Sequence, residues 1–197
     1  IEDTNASILV VSPRYESMLH QVAHKKGIRF IVLPVVPMQD GELPLLLPAR
    51  RAMILYTSGT TSLPKGVVTT HSNLQAQITS LVEAWEWNRS DVILCILPLH
   101  HVHGIVNVIC CALYSGACCR FLPEFDAASV FSVFRTGEIN LFMAVPTIYF
   151  KLIAYFETLP ADEQVLLSAA MKKFRLMVSG SAALPVTVME KWKKISG

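Results

Sequence analysis

The sequence predicts an α/β fold in which a largely parallel, doubly wound sheet carries helices on both faces. Two observations support this fold class. Short runs rich in β-branched residues alternate with amphipathic stretches of helical length along almost the whole chain. Hydrophobic residues make up 52% of the 197 residues and charged residues only 16%, which excludes a disordered chain and allows a sizeable core. The formal net charge of +2 does not favour a nucleic-acid partner.

The first quarter of the chain predicts one β–α–β unit followed by a connector. In chain order, the strand, helix and strand of this unit are expected at 8–11, 15–24 and 28–33. Residues 34–48 are rich in Pro and Leu and contain the turn signal Asp40-Gly41. We therefore divide the chain into residues 1–50, a partial α/β subdomain with its connector, and residues 51–197, which carry the motifs.

The longer part predicts alternating strands and helices whose ends have local signals. Thr70 and Asp126 are typical helix N-caps, and Pro146 and Pro185 are expected at helix starts. Strands are expected at 53–56, 67–68, 92–97, 117–122, 141–145 and 175–178. Helices are expected at 70–87, before 116, at 126–137, from 146, at 162–172 and from 185.

Residues 92–119 carry no formal charge and are numerous enough to raise the question of a membrane span. Pro98, Gly104 and three histidines argue against one, because polar rings are costly in lipid and Pro followed by Gly would break the helix. We expect a strand, a loop and a buried helix here, and no transmembrane segment. The chain begins at Ile1 without Met or a leader, so we also expect a fragment of a longer protein.

Ligands of open α/β sheets bind beyond the carboxyl ends of the strands. Four segments with polar residues or glycine follow predicted strands, and they span residues 57–65, 100–104, 146–147 and 179–183. The fold class therefore predicts that these segments meet at one edge of the molecule.

The most specific motif lies in residues 56–66, which read Y-T-S-G-T-T-S-L-P-K-G. Hydroxyls, exposed backbone N–H groups and Lys65 suit a polyphosphate, and no carboxylate occurs between Glu42 and Glu83 to repel it. A solvated Ser/Thr-rich turn is the plainer interpretation. A Walker A loop fits poorly, because Pro64 and Gly66 stand where it needs glycine and a hydroxyl.

Residues 57–66 resemble the signature loop T-S-G-T-T-G-x-P-K-G of the adenylate-forming acyl-CoA synthetases, with Ser62 in place of a glycine. If that position requires a positive φ, serine costs about 1 kcal/mol. The resemblance implies that Lys65 is catalytic and that Thr61 contacts Mg²⁺ through ATP. It also implies that the nucleotide is bound by residues of this loop, namely Thr57, Ser58, Gly59, Thr60, Thr61, Ser62, Pro64 and Gly66.

A second motif, residues 98–104, contains His100, His101 and His103. Three histidines in four positions suggest a metal hydrolase, although no acidic residue follows before Glu124. Capping of the next helix by one or two of these histidines is a structural alternative. In the resembled family the segment reads P-L-x-H-x-x-G, which places His101 in the acyl pocket as a catalytic residue.

A third segment, residues 178–185, joins a predicted strand to a helix through small side chains that would let a purine approach the backbone. A tight β–α turn with ordinary capping is the alternative. The family resemblance implies that Ser181, Ala182 and Ala183 lie against adenine and that Ser179 contacts the substrate. It similarly implies that residues 143–149 line the pocket.

The combination of these segments looks most like the malonate-activating branch of the family. A dicarboxylate needs a cation or a strong hydrogen-bond donor for its second carboxylate, and Arg175 is the expected ligand, with His101 behind it. A solvated arginine beside Lys172 and Lys173 is the alternative.

The resemblance implies an AMP-forming ligase of fatty acid metabolism that uses ATP, Mg²⁺ and CoA to convert malonate or methylmalonate to its thioester. It implies the mitochondrial matrix, or otherwise the cytoplasm, and a large N-terminal domain whose C-terminal partner domain is missing, so the chain alone should be inactive. A medium-chain or aryl acid ligase, the metal hydrolase, and a non-catalytic nucleotide-binding fragment are the alternatives.

Overall fold

The computed structural model describes residues 3–34, 41–42, 44–58 and 63–197. Residues 59–62 of the Ser/Thr-rich loop, which are Gly59, Thr60, Thr61 and Ser62, lie outside this part, so their assignments stay predictions. The chain divides into two compact units, Ile1–Leu47 and Pro48–Gly197.

The first unit contains one β–α–β motif. Strand β1 (Ile8–Val11) leads through a 3₁₀ turn (Pro13–Tyr15) into helix α1 (Glu16–Lys25), and β2 (Arg29–Val32) follows. The two strands are parallel, with Ile8 opposite Arg29. A right-handed crossover through a helix is the usual connection between such strands.

The second unit begins with an antiparallel hairpin of β3 (Arg51–Thr57) and β4 (Lys65–Thr70). Helix α2 (His71–Ala84) follows directly and has the predicted cap. The Asn73 N–H donates to the Thr70 hydroxyl at 3.2 Å, and the Thr70 N–H donates to the Asn73 side chain at 3.0 Å. This reciprocal capping box satisfies two N–H groups that the helix start would otherwise leave unpaired.

Four parallel strands form the central sheet of this unit in the order β6-β5-β7-β8. The strands are β5 (Val92–Cys95), β6 (Cys118–Phe121), β7 (Leu141–Ala144) and β8 (Leu176–Ser179). The helices between and after them are a π-helix (His103–Cys110) continued by α3 (Cys111–Ser115), then α4 (Ala127–Arg135), α5 (Pro146–Phe156), α6 (Ala161–Met171) and α7 (Val186–Ser196).

Helices cover both faces of this sheet, so the predicted fold class is confirmed. Ile93 and Leu141 belong to one buried cluster, which also contains residues of α3 and packs against α2. Leu94 and Phe142, their neighbours along the strands, belong to a second cluster built with α4, α5, α6 and α7. This alternation places successive side chains of a buried strand on opposite faces.

Most predicted ends of helices and strands lie within two residues of the observed ones. The Asp126 carboxylate accepts from the Ser129 N–H at 2.8 Å and begins α4, as expected. Strand β5 ends at Cys95 rather than at residue 97, and the next helix begins as a π-helix. The loop at the carboxyl end of β5 is therefore longer than predicted and includes residues 96–102.

Residues 92–119 form β5, this loop, the π-helix with α3, and the start of β6. Within the described ranges, no helix has both the length and the apolar character that crossing a bilayer requires.

Candidate functional site

The parallel strands bring three of the predicted segments to the carboxyl edge of the central sheet. The loop after β5 carries His101, the start of α5 carries Thr147, and the turn after β8 carries Ser181. Neighbouring strands in one direction end at the same edge, which is where open α/β sheets bind ligands. The structure therefore places these residues on one edge.

A cavity of about 820 Å³ opens at this edge beyond β5 and β6. Its polar lining includes His101, Thr147, Glu124 and Lys151, and the remaining walls are mainly apolar. His101 is exposed, and its ring centroid lies 4.3 Å from that of His100. An exposed imidazole at the wall of a cavity can donate a hydrogen bond to a bound carboxylate.

His103 has a different environment, although it is only two residues from His101. Its side chain is buried, with 7% of the residue exposed, and Nδ1 lies 3.1 Å from the Ser181 hydroxyl oxygen. Burial lowers the pKa of the His103 imidazole, so the ring is neutral at pH 7. The sequence motif contains His103 but does not indicate this contact, because the partner is 78 residues away.

The turn between β8 and α7 is strained at Ser181, where φ is +68°. Left-handed backbone is unfavourable for a residue other than Gly, Asn or Asp. The preceding Gly180 packs against the His103 ring so closely that a Cβ there would lie 2.9 Å from the ring carbon Cε1. Ala182 and Ala183 follow on the exposed side of the turn.

Three buried side-chain polar atoms have no hydrogen-bond partner in the described part of the chain. They are the Ser179 hydroxyl oxygen at the end of β8, the Asn107 side-chain oxygen in the π-helix and Trp87 Nε1 before β5. An unpaired buried polar group costs about 1–3 kcal/mol, so such atoms are candidates for ligand contacts. Ser179 was predicted from the sequence as a site residue, whereas Asn107 was not. The sequence signal for Asn107 was a polar amide within an otherwise apolar helix.

Tyr149 anchors the end of β8 rather than lining the cavity at the β5 and β6 ends. Its hydroxyl donates to the Val178 carbonyl at 2.9 Å, and its ring packs edge-on against Phe142 and Trp192. Burial raises the pKa of the Tyr149 phenol, so it stays a neutral donor. Of the segment 143–149, Val145 and Thr147 are among the residues that line the cavity.

The β3–β4 hairpin holds the two ends of the Ser/Thr-rich loop together. Thr57 and Lys65 are cross-strand partners, and both are exposed, as are Ser58 and Pro64 within the loop. Lys65 begins a strand, whereas a Walker A lysine begins a helix, so the Walker A alternative does not fit. The assignment of this loop to a nucleotide remains a prediction.

Gly66 has a packing role in the same hairpin. A Cβ at this position would lie 3.0 Å from Ile54 Cγ2 and 3.3 Å from Tyr56 Cζ. The Tyr56 ring therefore covers the cross-strand glycine, its partner in the register. This packing is a sufficient reason for glycine at position 66, whether or not a nucleotide binds the loop.

The structure corrects the expectation that Arg175 binds the substrate. Its guanidinium donates from Nε to Asp91 Oδ1 at 2.7 Å and from Nη2 to Asp91 Oδ2 at 2.5 Å, and Nη1 donates to the Trp85 carbonyl at 2.8 Å. Arg175 precedes β8, so about 13 Å of strand separates it from Ser179 at 3.3 Å per residue. It lies at the amino edge of the sheet and neutralises a buried carboxylate.

Asp91 is fully buried, and both oxygens of its carboxylate accept hydrogen bonds. Besides Arg175, the Asn88 N–H donates to Oδ2 at 2.8 Å and the Asn140 side chain donates to Oδ1 at 3.0 Å. Burial alone would raise the pKa of Asp91, but the bonds from Arg175, Asn88 and Asn140 hold the pKa below its ordinary value. This network is a structural ion pair.

The histidines do not form a metal site in the described residues. No group of three or more His, Cys, Asp or Glu side chains in that part is arranged to hold a metal ion. His100 and His101 lie at the surface with their rings tilted against each other, whereas His103 points inward to Ser181. The structure therefore gives no support to a hydrolase that uses these three residues.

The fold and the segments at the carboxyl edge define an α/β domain of the type that binds ligands beyond its strand ends. A family model described as AMP-binding enzyme matches residues 3–197. The chain therefore belongs to the AMP-binding enzyme family.

Relatives within the family include malonate–CoA ligases. The mitochondrial malonate–CoA ligase ACSF3 of Bos taurus is 47% identical over 211 residues, an alignment that covers 100% of this chain and 36% of that protein. The malonate–CoA ligase of Arabidopsis thaliana is 34% identical over 220 residues, with coverage of 100% and 36%. The chain thus spans 36% of the length of these two relatives.

Solved structures show the same fold. A malonyl-CoA ligase in a ternary product complex with methylmalonyl-CoA and AMP has a TM-score of 0.85 at 29% identity, covering 99% of this chain and 40% of that one. ATP-bound MatB from Rhodopseudomonas palustris has a TM-score of 0.76 at 26% identity, with coverage of 95% and 38%.

Proposed function

We propose that this chain forms the acyl- and nucleotide-binding part of an ATP-dependent malonate–CoA ligase. The observation that carries the proposal is whole-chain similarity to malonate–CoA ligases, at 47% identity for the bovine protein. The sheet geometry supports it, because His101, Thr147 and the turn at Ser181 lie at one edge, as a bound acyl-adenylate requires.

The first half-reaction joins two anions. A malonate carboxylate oxygen attacks the α-phosphorus of ATP, the bond from that phosphorus to the bridging oxygen breaks, and pyrophosphate leaves. Lys65 and the loop hydroxyls offset the repulsion between the reactants and orient them for in-line attack. His101 donates a hydrogen bond to the carboxylate from the cavity wall.

In the second half-reaction the CoA thiol attacks the acyl carbon of the adenylate. A carbon–sulfur bond forms, the thiol proton passes to solvent, the bond between the acyl carbon and the phosphate oxygen breaks, and AMP leaves. Ser181, Ala182 and Ala183 hold the adenine side, and the unpaired Ser179 hydroxyl contacts the acyl side. CoA is a co-substrate in this scheme.

The second carboxylate of malonate needs a cation other than Arg175. Lys151 is a cationic residue on the wall of the cavity that His101 also lines, and it takes the role first expected of Arg175. Methylmalonate would fit the same arrangement, since it differs only by a methyl group.

Mg²⁺ accompanies ATP in this proposal, with Thr61 as its contact through the nucleotide. Thr61 lies outside the described residues, so the assignment rests on the family resemblance. The mitochondrial matrix is the proposed location, because the bovine relative is named as mitochondrial.

The direct test is ATP–pyrophosphate exchange by the full-length ligase that contains this chain, with malonate, methylmalonate, a medium-chain acid and an aryl acid. We expect the fastest exchange with malonate. Faster exchange with the medium-chain or aryl acid would refute the malonate assignment. ATP binding without exchange for any acid would instead support a non-catalytic nucleotide-binding protein.

A further inference from the structure

His103 connects two segments that the chain places far apart in sequence. It is the first residue of the π-helix after β5, and its Nδ1 atom lies 3.1 Å from the Ser181 hydroxyl oxygen in the turn after β8. The Gly180 backbone packs against the same ring. The ring therefore contacts two consecutive residues of the turn on which the proposed function depends.

The turn needs such support because it contains a strained residue. Ser181 has φ +68°, in the left-handed region that serine rarely adopts. Strain of this kind persists only where surrounding contacts fix it. On the amino side, the Gly180 N–H donates to the Ala144 carbonyl at 3.1 Å. At Ser181 itself, the side-chain bond that fixes the residue is the one to His103.

We propose that His103 is a positioning residue that holds the turn at residues 180–183 in the shape that receives the acyl-adenylate. This inference rests on the proposed function for the identity of the ligand. It assigns no contact between His103 and the reacting atoms. His103 acts through Ser181, and His101 remains the residue at the cavity wall.

The chemistry of a buried imidazole suits this task. A neutral ring has one donor and one acceptor nitrogen, so Nδ1 can pair with a hydroxyl in either direction. The ring fits against Gly180, where a Cβ would lie 2.9 Å from the ring carbon Cε1. A long, flexible side chain would fill this space less rigidly, because more rotamers would have to be fixed.

Three single variants and one double variant in the full-length ligase test the proposal, and a fourth single variant is the conservative control. His103→Ala removes the ring. Ser181→Ala removes the hydroxyl but keeps a Cβ that disfavours positive φ, whereas Ser181→Gly removes the hydroxyl and accepts positive φ freely. The fourth protein combines His103→Ala with Ser181→Ala. His103→Asn serves as the conservative variant, because its amide can place a polar atom near the Nδ1 position.

The readout is kcat/KM for malonate-dependent exchange. We expect His103→Ala and Ser181→Ala each to lower kcat/KM about fivefold. This factor corresponds to roughly 1 kcal/mol of backbone strain, which would shift the turn away from its binding shape once the contact is lost. Ser181→Gly should lose less than Ser181→Ala, and His103→Asn less than His103→Ala. The kcat/KM of the double variant should be at most about twofold lower than that of either single variant, because the two residues act as one unit.

Amide hydrogen exchange at Gly180, whose N–H donates to the Ala144 carbonyl, supplies a readout that does not require activity. His103→Ala should accelerate exchange there about fivefold, whereas Ser181→Gly need not. Unchanged exchange at the turn, or fully multiplicative losses in the double variant, would overturn the positioning role. If the wild-type ligase activates no acid, the proposed function fails, while the amide-exchange result still decides whether His103 holds the turn.

Discussion

The two edges of the central sheet differ in how their buried oxygen atoms are paired. At the amino edge, the buried Asp91 carboxylate has bonds from Arg175, Asn88 and Asn140. At the carboxyl edge, the Ser179 hydroxyl oxygen is buried without a partner in the described part of the chain. Backbone strain does not separate the edges, because Glu86 before β5 is left-handed like Ser181, and Trp87 Nε1 beside it is also buried without a partner among the described residues.

The difference separates residues that stabilise the domain from residues that are prepared for a ligand. A satisfied buried network contributes to the native state and leaves nothing for a substrate. An unpaired buried hydroxyl costs free energy in the absence of ligand, so Ser179 is a candidate for a ligand contact. The Asp91 network therefore stabilises the sheet, and the carboxyl edge is the proposed place of chemistry.

The largest expected effect is on stability at the amino edge. Asp91→Asn leaves the Arg175 guanidinium without its counter-charge and should lower the free energy of unfolding by about 3 kcal/mol. Urea denaturation of the 197-residue chain at pH 7 measures this change. Asp126→Asn is the matched control, because asparagine caps helices as well as aspartate, and it should change the free energy by less than about 0.5 kcal/mol.

The same variant has a predictable pH dependence. The folded pKa of Asp91 lies below its ordinary value, so its contribution is complete above about pH 4 and is lost as the pH falls through the folded pKa. The difference between wild type and Asp91→Asn should stay constant from about pH 5 to 7 and shrink below about pH 4. A difference that grows on acidification would contradict the assigned network.

The next prediction tests whether the loop of the β3–β4 hairpin takes part in the same reaction as the carboxyl edge of the sheet. Lys65→Ala in the full-length ligase should reduce malonate-dependent ATP–pyrophosphate exchange about tenfold, because a phosphate would lose a charge-assisted hydrogen bond. Lys173→Ala, on a surface with no assigned role, is the control. Exchange that is equal in the two variants would remove Lys65 from the site.

A paired substitution then compares the two cations that were considered for the second carboxylate. Lys151→Met should raise the KM for malonate about fivefold, since it removes a charge from the cavity wall. Arg175→Lys should leave this KM unchanged and instead lower the free energy of unfolding by about 1 kcal/mol, because lysine cannot make the two-pronged bond to Asp91. Steady-state kinetics with malonate varied would show the reverse pattern if Arg175 bound the substrate.

The smallest effect concerns the departure from the family motif. If residue 62 needs a positive φ, Ser62→Gly should speed exchange, by up to about fivefold for 1 kcal/mol of relieved strain. Slower exchange would mean that the serine hydroxyl is used. Pre-steady-state pyrophosphate release would report the adenylation step alone.

Local sequence signals predicted much of the fold. The side-chain roles that they did not predict depend on contacts between residues far apart in the chain. Thr70 and Asp126 were identified as caps because an N-cap depends on residues three positions apart. Arg175 was misjudged because its partner Asp91 lies 84 residues earlier. The inward turn of His103 depends on a serine 78 residues later, so spacing within the motif could not show it.

The site was predicted at the level of segments rather than of side-chain roles. Strand direction alone places the loops after β5, β7 and β8 at one edge. Which polar atoms are buried there, such as the Ser179 hydroxyl, depends on packing between helices and strands. The positive φ of Ser181 has no signal in the residue type, because serine normally avoids it.

The most direct test of the division between the edges is a crystal structure of the full-length ligase with a non-hydrolysable sulfamoyl analogue of malonyl-adenylate. We predict that the analogue lies against residues 179–183 with its acyl group near His101, while Arg175 keeps both bonds to Asp91. An analogue that contacts Arg175, or that binds away from the turn at Ser181, would contradict the account.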